Sequence, residues 1–464
     1  MSTWNDKQSY WLHIQPLTEQ NSALYSIYRR LLAAAFWLAA LSLIVNIGFE
    51  LPASMAGSMN WINFITVCLF LILTILRIIH ARKVNAPIRS AIFELLLITA
   101  LALEFIFVHI NFPVQSRVSL HLIHVYIIAL QIYFLFAIGR RMFKAGKRLY
   151  LLSLSPAMTV AASFLGLILL GAMGLMLPRA THGQIAPNIS FLDALFTSTS
   201  AVCVTGLIVV DTATAFSRIG QAIILLLIQL GAFGIMIFVG LFAFTFGAGA
   251  SLRSRVVLQD LIVKEGSQRV TSLLRTMLLT TFFLEMAGTL LLYPEFLHSA
   301  DASGEAWFDA LFHSISAFCN AGFSTFSNSL ESYSSSPLLI AVICFLIFCG
   351  GIGFSAVYEI FRWLRSRLWR HKRTARLSLH TVTVLQVSGV LIAFGFLAVL
   401  LGADWTGRGA GDVFLSSLFQ SITPRTAGFN TIPLASIAPW CLILIMILMF
   451  IGGAPGGTAG GVKV

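Results

Sequence analysis

Three short stretches of this sequence combine residues suited to holding a dehydrated cation. Phe-Leu-Asp-Ala-Leu-Phe-Thr-Ser-Thr-Ser-Ala-Val-Cys-Val-Thr-Gly-Leu starts at Phe191, and Trp-Phe-Asp-Ala-Leu-Phe-His-Ser-Ile-Ser-Ala-Phe-Cys-Asn-Ala-Gly-Phe starts at Trp307. Asp193 matches Asp309, Phe196 matches Phe312, Ser200 matches Ser316, Cys203 matches Cys319 and Gly206 matches Gly322. A third copy keeps Leu418-Phe419-Gln420-Ser421-Ile422-Thr423 and reaches Arg425-Thr426-Ala427-Gly428-Phe429 with one residue fewer before the glycine. Each copy reads as about three helical turns followed by a glycine-centred extended stretch, and three turns span about 16 Å, half a bilayer core. Non-helical backbone at that depth is tolerated only where protein buries it or water lines it. The pattern therefore predicts a re-entrant loop. Glycine admits φ > 0, so successive carbonyls can point one way and replace the hydration shell of a cation. The competing reading is a set of amphipathic core segments with incidental glycines. Three copies with a shared Phe, Ser/Thr and Gly pattern weigh against it.

The elements that must position these loops are apolar helices. Of 464 residues, 58% are hydrophobic and 10% charged, and the mean hydropathy is +0.89. An ordinary soluble domain carries about 25% charged residues. Charge-free runs of about 18 or more residues recur, which points to a multi-pass membrane protein. Composition thus excludes a secreted domain, a soluble enzyme and a disordered scaffold, and the long apolar blocks exclude a β-barrel. The net charge of +12 comes from basic clusters between spans, so cytoplasmic loops explain it better than nucleic acid binding. The cysteines at 68, 203, 319, 344, 349 and 441 form no CxxC pair, and neither a disulfide nor a zinc site is expected. No HExxH, GxSxG or pair of catalytic acids falls in the spans, so no enzyme is expected. Residues 1–30 are mostly polar, and no cleavable signal is expected there.

Along the chain, residues 1–30 form an N-terminal segment and residues 31–150 a four-helix membrane region, with spans at 31–49, 61–76, 91–110 and 119–139. Three units of helix, Ser/Thr/Gly-rich piece and helix follow. Unit 1 occupies 151–270, with pieces 151–178, 191–207 and 219–252. Unit 2 occupies 271–376, with pieces 276–293, 307–323 and 335–358. Unit 3 occupies 377–464, with 377–403, 413–429 and a last helix from near Ile432 that runs into a glycine-rich tail. Arg29 and Arg30, the group Arg77 to Arg89, the cluster at 140–148, the residues Arg253 to Arg269 and the seven basic residues between Arg362 and Arg376 alternate with loops poor in Lys and Arg. The positive-inside rule makes the N-terminus cytoplasmic and brings the Ser/Thr/Gly pieces in from outside.

With Val-Thr-Gly-Leu, Asn-Ala-Gly-Phe-Ser and Thr-Ala-Gly-Phe-Asn in helix–loop–helix repeats, the region 151–464 resembles the Trk/Ktr/HKT superfamily of potassium transporters, its TrkH and KtrB branch in particular. The resemblance implies an all-α integral membrane fold with four repeats around one pore, in which filter glycines confer potassium preference. On that resemblance Gly206, Gly322 and Gly428 line the filter, flanked by Val204, Thr205, Asn320, Ala321, Thr426 and Ala427. Cys203 stands where many relatives have Thr. The resemblance further implies potassium as the transported ion with no other cofactor, and location in the cytoplasmic (inner) membrane. It also implies a homodimer and a cytoplasmic ring of nucleotide-binding regulatory subunits of the TrkA/KtrA kind, docking on the basic loops at 253–269 and 362–376.

The tail from Gly452 to Lys463 carries Pro455 and six glycines that would break a helix. A phosphate-binding loop needs Gly-Lys-Ser/Thr, and Val462 separates Gly461 from Lys463. A fourth filter is excluded by spacing: the filter glycines lie 116 and 106 residues apart, whereas Gly460 is 32 beyond Gly428. The resemblance implies instead that Gly456, Gly457, Thr458, Ala459, Gly460 and Gly461 form a gating loop under the filter. By the same repeat a fourth filter glycine is expected roughly 106–116 residues past Gly428, so the sequence reads as ending before a fourth repeat. A non-conducting remnant of such a transporter is the alternative reading. Glu285, Glu94 and Glu104 lie in apolar spans and call for a partner or water, for Glu285 a neighbouring Ser or Thr or else a functional role. Arg141, Lys144 and Lys147 read as an ordinary positive flank rather than a voltage sensor, and His121 and His124 as core residues. Asp211 could draw cations to the outer mouth or sit as a solvated loop carboxylate.

Overall fold

The ends of the helices are set by Pro, Ser and Gly at the borders of the apolar runs. The computed structural model describes residues 156–182, 189–247, 268–297, 306–368 and 376–463, with positions 41, 44, 45, 48 and 49. The chain divides into two units, Met1–Ser155 and Pro156–Val464. Positions 41, 44, 45 and 48 are helical, within the first expected span. The other N-terminal spans, Glu94, Glu104, His121, His124, the cluster at 140–148 and the basic residues 253–264 lie outside the described residues.

The second unit is helical, and among the described residues its β pairing is confined to isolated bridges such as Thr181 with Phe216 and Ile451 with Val462. Three helix sets follow one another. The first is α1 (Pro156–Leu175), α2 (Phe191–Val202) and α3 (Arg218–Gly247). The second is α4 (Gln268–Leu297), α5 (Ala306–Phe318), α6 (Pro337–Gly351) and α7 (Phe354–Leu368). The third is α8 (Leu379–Gly402), α9 (Ala410–Ile422) and α10 (Pro439–Phe450). The spans Arg218–Ile235, Arg275–Leu297 and Leu379–Gly402 are long and apolar enough to cross a membrane. The middle helices α2, α5 and α9 have 12, 13 and 13 residues, about 18–20 Å at 1.5 Å per residue, too short to cross alone.

Local chemistry explains the starts. Ser190 and Asp193 form a capping box at α2: Ser190 Oγ accepts from Asp193 N–H (3.1 Å) and the Asp193 carboxylate accepts from Ser190 N–H (3.3 Å). Such a cap is worth about 1 kcal/mol. Ser336 caps α6, with Pro337 at its first position, and Ser378 caps α8. Lipid is as apolar as leucine, so these helices associate through close packing over small residues. One seam repeats in all three sets. A Cβ added at Gly171 would press on Ser198 and Leu227, one at Gly288 on Ser314 and Leu346, and one at Gly395 on Ser421 and Leu448. The first helix of each set thus lies directly against its middle helix and the helix that follows it (α3, α6 and α10). Phe312, Phe323, Phe419 and Phe429 are fully buried beside the middle helices, while Leu170, Phe283, Leu397 and Leu401 are exposed on the outer surface.

The structure revises several boundaries. The expected helix 335–358 is broken into α6 and α7, bent by 112°. The last helix begins at Pro439, after a 3-10 turn at Leu434–Ser436, rather than near Ile432. α4 reaches Gln268–Leu297 instead of 276–293, because Thr, Gln and Arg at its start lower hydropathy without opposing a helix. The middle helices stop four or more residues before their glycines.

Candidate functional site

Each middle helix hands the chain to three residues with one backbone signature. Val204, Asn320 and Thr426 have φ of 54°, 57° and 67°, and Gly206, Gly322 and Gly428 have φ of 80°, 71° and 86°. The residues between, Thr205, Ala321 and Ala427, keep negative φ. Left-handed backbone is an outlier for β-branched Val204 and Thr426, at about 1–3 kcal/mol each. Alternation of this kind swings successive carbonyls to the same side of the strand, which an ion-coordinating row of oxygens requires.

The strand starts are pinned alike. Thr205 N–H donates to Ser200 O (2.8 Å), Ala321 N–H to Ser316 O (2.8 Å) and Ala427 N–H to Thr423 O (2.9 Å). Ser316 Oγ donates to Phe323 O and Thr423 Oγ1 to Phe429 O, both at 2.8 Å. The hydroxyl of Ser200, at the same place in copy 1, has no partner among the described residues. The three glycines converge. An added Cβ would lie 3.3 Å from Gly322 Cα at Gly206, 3.0 Å from Gly428 Cα at Gly322, and 3.2 Å from Gly322 Cα at Gly428. Ala321 and Ala427 are buried and Thr205 is exposed.

The glycine-rich tail folds back against the same strands. Thr458 Oγ1 lies 3.0 Å from Phe318 O and 2.9 Å from the Asn320 amide. Asn320 is oriented so that Nδ2 donates to Ile347 O (3.3 Å) while Oδ1 accepts from Thr458 Oγ1 and Gly351 N–H (3.2 Å), since the opposite flip faces donors to donors. Gly460 N–H donates to Thr426 Oγ1 (2.9 Å), and Arg425 Nη2 to Gly452 O (3.2 Å). Gly457, Thr458 and Ala459 are buried, while Gly460 and Gly461 are exposed and Gly456 is half-buried. The break between α6 and α7 belongs to this contact. Thr458 N–H donates to Gly350 O (3.1 Å), Ala454 N–H to Gly351 O (2.8 Å) and Phe354 N–H to Gly456 O (3.5 Å). The backbone groups freed by the bend are therefore satisfied by the tail, as they must be at membrane depth.

Polar groups behind the strands join one helix set to the next. Glu285 of α4, 4% exposed, accepts from Gln229 Nε2 of α3 (3.2 Å) and faces Cys319 Sγ (3.9 Å). Its carboxylate partner is thus an amide rather than the expected Ser or Thr. The Ser314 and Thr289 hydroxyls reach the Glu285 backbone carbonyl instead. Asp309 makes a two-point ion pair with Arg218 (2.5 and 3.1 Å). Among the described residues, Asp193, its match in sequence, caps its own helix and makes no ion pair. His313 bonds Asp309 O through Nδ1 (2.7 Å) and Ser324 Oγ through Nε2 (2.9 Å), stacked on Phe326. Asp211 accepts from Ala213 N–H (2.9 Å) as the cap of the turn Thr212–Ala215. Cys203 is exposed and Cys319 buried. The motif reading missed the amide of Asn320, the guanidinium of Arg425 and Arg218 as bridges. For Arg218 the available signal was a lone cation at the start of an apolar run.

Among the described residues, fold and site define an all-helical membrane protein whose three helix sets bring glycine-hinged loops to one point. The TrkH family model, described as a cation transport protein, matches residues 127–464, beginning inside the fourth expected span. Ktr system potassium uptake protein B of Bacillus subtilis (strain 168) is 35% identical over 316 residues, 67% of this chain and 68% of that protein. Potassium/sodium uptake protein NtpJ of Enterococcus hirae is 34% identical over 314 residues, 67% of each. The crystal structure of the potassium transporter TrkH from Vibrio parahaemolyticus gives a TM-score of 0.49 at 20% identity, over 81% of this chain and 71% of that one. The chain belongs to the Trk/Ktr family of potassium transporter membrane subunits, and is a transporter rather than an enzyme.

Proposed function

We propose that this chain takes up potassium across the cytoplasmic membrane through a pore lined by the three glycine strands. The carrying observation is the shared backbone alternation at Val204 to Gly206, Asn320 to Gly322 and Thr426 to Gly428. Strain repeated in three places is kept only where neighbours over-determine it, which is characteristic of functional sites. Carbonyls aimed into the convergence point would replace the hydration shell of potassium, and Gly456 to Gly461 would gate the passage below. Units 151–270, 271–376 and 377–464 contribute pore repeats, and 31–150 is an accessory region. The N-terminus is cytoplasmic, which puts the basic ends of the repeats on the side of a nucleotide-binding regulatory subunit. The Ktr system names of relatives such as the Bacillus protein agree with such a partner. The chain works as a homodimer.

The test is complementation. Expressed from its native gene, the protein should restore growth on limiting potassium to a strain lacking potassium uptake. In Gly322→Ser the added Cβ meets Ala427 O at 2.6 Å with φ at +71°. Left-handed backbone costs a side chain about 1–2 kcal/mol, so the strand must shift, and the ratio of potassium to sodium uptake should fall by up to about tenfold, the ceiling if all of that strain is felt by potassium alone. An unchanged ratio in a variant that still transports would refute the filter assignment.

A further inference from the structure

We propose that the tail loop is specificity-determining: the Thr458 hydroxyl holds the filter strand of copy 2 in shape, and Gly460 N–H that of copy 3. The inference rests on the filter reading above and adds a structural duty to a loop so far given only a gating one. Asn320 is fully buried, carries left-handed φ, and its amide meets Thr458 Oγ1 (2.9 Å), Gly351 N–H and Ile347 O. The Thr458 hydroxyl also sits 3.0 Å from Phe318 O, at the end of the helix that feeds the strand. Two residues on, Gly460 N–H donates to Thr426 Oγ1, on the left-handed residue of copy 3. Arg425, one residue before Thr426, reaches the start of the same loop at Gly452 O.

The side chains at the two strained positions thus find partners in one loop, and that loop lies outside both strands in sequence. Left-handed Asn and Thr need such surroundings to persist. Copy 1 is built differently: Val204 has the same φ and an apolar side chain that can accept no such bond. The loop therefore braces the strands of copies 2 and 3 from below, and its displacement would release them together. Ion discrimination, a property of strand geometry, becomes sensitive to a hydroxyl that lines no part of the strands.

The experiment measures potassium and sodium uptake for Thr458→Val, which keeps shape and removes the hydroxyl, for Thr458→Ser, which restores it, and for Thr426→Val, which removes the acceptor for Gly460 N–H. All are made in the protein expressed from its native gene, beside Gly322→Ser. Thr458→Val and Thr426→Val should each lower the potassium-to-sodium ratio by up to about fivefold, the ceiling set by the net worth of one hydrogen bond, and Thr458→Ser should keep the wild-type ratio. If Thr458→Val changes the rate with the ratio intact while Gly322→Ser lowers it, the loop is a gate alone and the proposal is overturned. If Gly322→Ser also leaves the ratio intact, the filter assignment is what fails. Should Thr458→Val not reach the membrane, Thr426→Val set against Thr426→Ser, which keeps the acceptor hydroxyl for Gly460 N–H, decides by the same ratio: equal ratios in the two would overturn the bracing.

Discussion

At the residue scale, the ion pair between Arg218 and Asp309 shows how one charge can serve two helix sets. Asp309 opens α5 with its side chain 3% exposed, and Arg218 opens α3 with its side chain 32% exposed. The guanidinium also bonds Gln221 Oε1 (3.0 Å) and lies 5.2 Å from the centre of the Phe308 ring. A planar fork can satisfy carboxylate, amide and ring at once, which an ammonium cannot. Removing Arg218 strands a buried carboxylate. Arg218→Ala should destabilise the purified protein by about 3 kcal/mol, the low end for a buried pair because the arginine is partly exposed. Arg218→Lys should recover less than half of that, and Arg218→Ala with Asp309→Leu should unfold later than Arg218→Ala alone. Thermal unfolding in detergent reads all three, and a double variant no better than the single would remove the pair from this account.

At the element scale, the seam of Gly171, Gly288 and Gly395 sets how closely the first helix of each set approaches the others. Gly288→Val would put a branched side chain where Leu346 Cδ1 already lies 2.7 Å from an added Cβ. It should cost about 1–3 kcal/mol by overpacking and lower the unfolding temperature. Gly389, in the same kind of helix, has nothing within 4 Å, so Gly389→Ala should be neutral or gain up to about 1 kcal/mol from helix propensity. Equal effects at the two sites would mean that the seam does not carry the packing. The same glycines show what sequence could and could not convey. Hydropathy marked the long helices, and the triple motif marked the strands, because span length and carbonyl direction depend on residues close in sequence. The bend at Gly350 to Gly353 stayed hidden because Gly231 and Gly234 sit in the equally apolar α3 without breaking it. What decides is the tail loop, about a hundred residues away, which bonds Gly350 O and Gly351 O. Asn320 was read for its backbone, and only the fold brings Thr458 to its amide.

At the scale of the whole molecule, the three sets share a plan and differ at their lower ends. The helix after the strand runs unbroken for 30 residues in the first set, bends into α7 in the second, and gives way to the glycine loop in the third. After the glycine stretches, one of the three following helices is thus continuous and two are interrupted, and the interruptions bond to each other. The orientation proposed above gives this asymmetry a direction across the membrane: Arg365 and Arg367 lie in the last turn of α7, and short basic flanks stay inside, so this end is expected on the cytoplasmic side. On that orientation the turn between α8 and α9 is expected to face outward. There Asp404 accepts from the hydroxyl and N–H of Thr406 (2.5 and 3.0 Å), which hold its carboxyl below the usual carboxylate range, and Thr406 is exposed. A membrane-impermeant maleimide should label Thr406→Cys in intact cells and Ser366→Cys only after lysis, in a background where the native cysteines have been replaced. Labelling of Ser366→Cys from outside would invert the orientation. The strands would then be entered from the cytoplasm, with the braced loop on the outer side, and uptake gated from within would no longer follow from this fold.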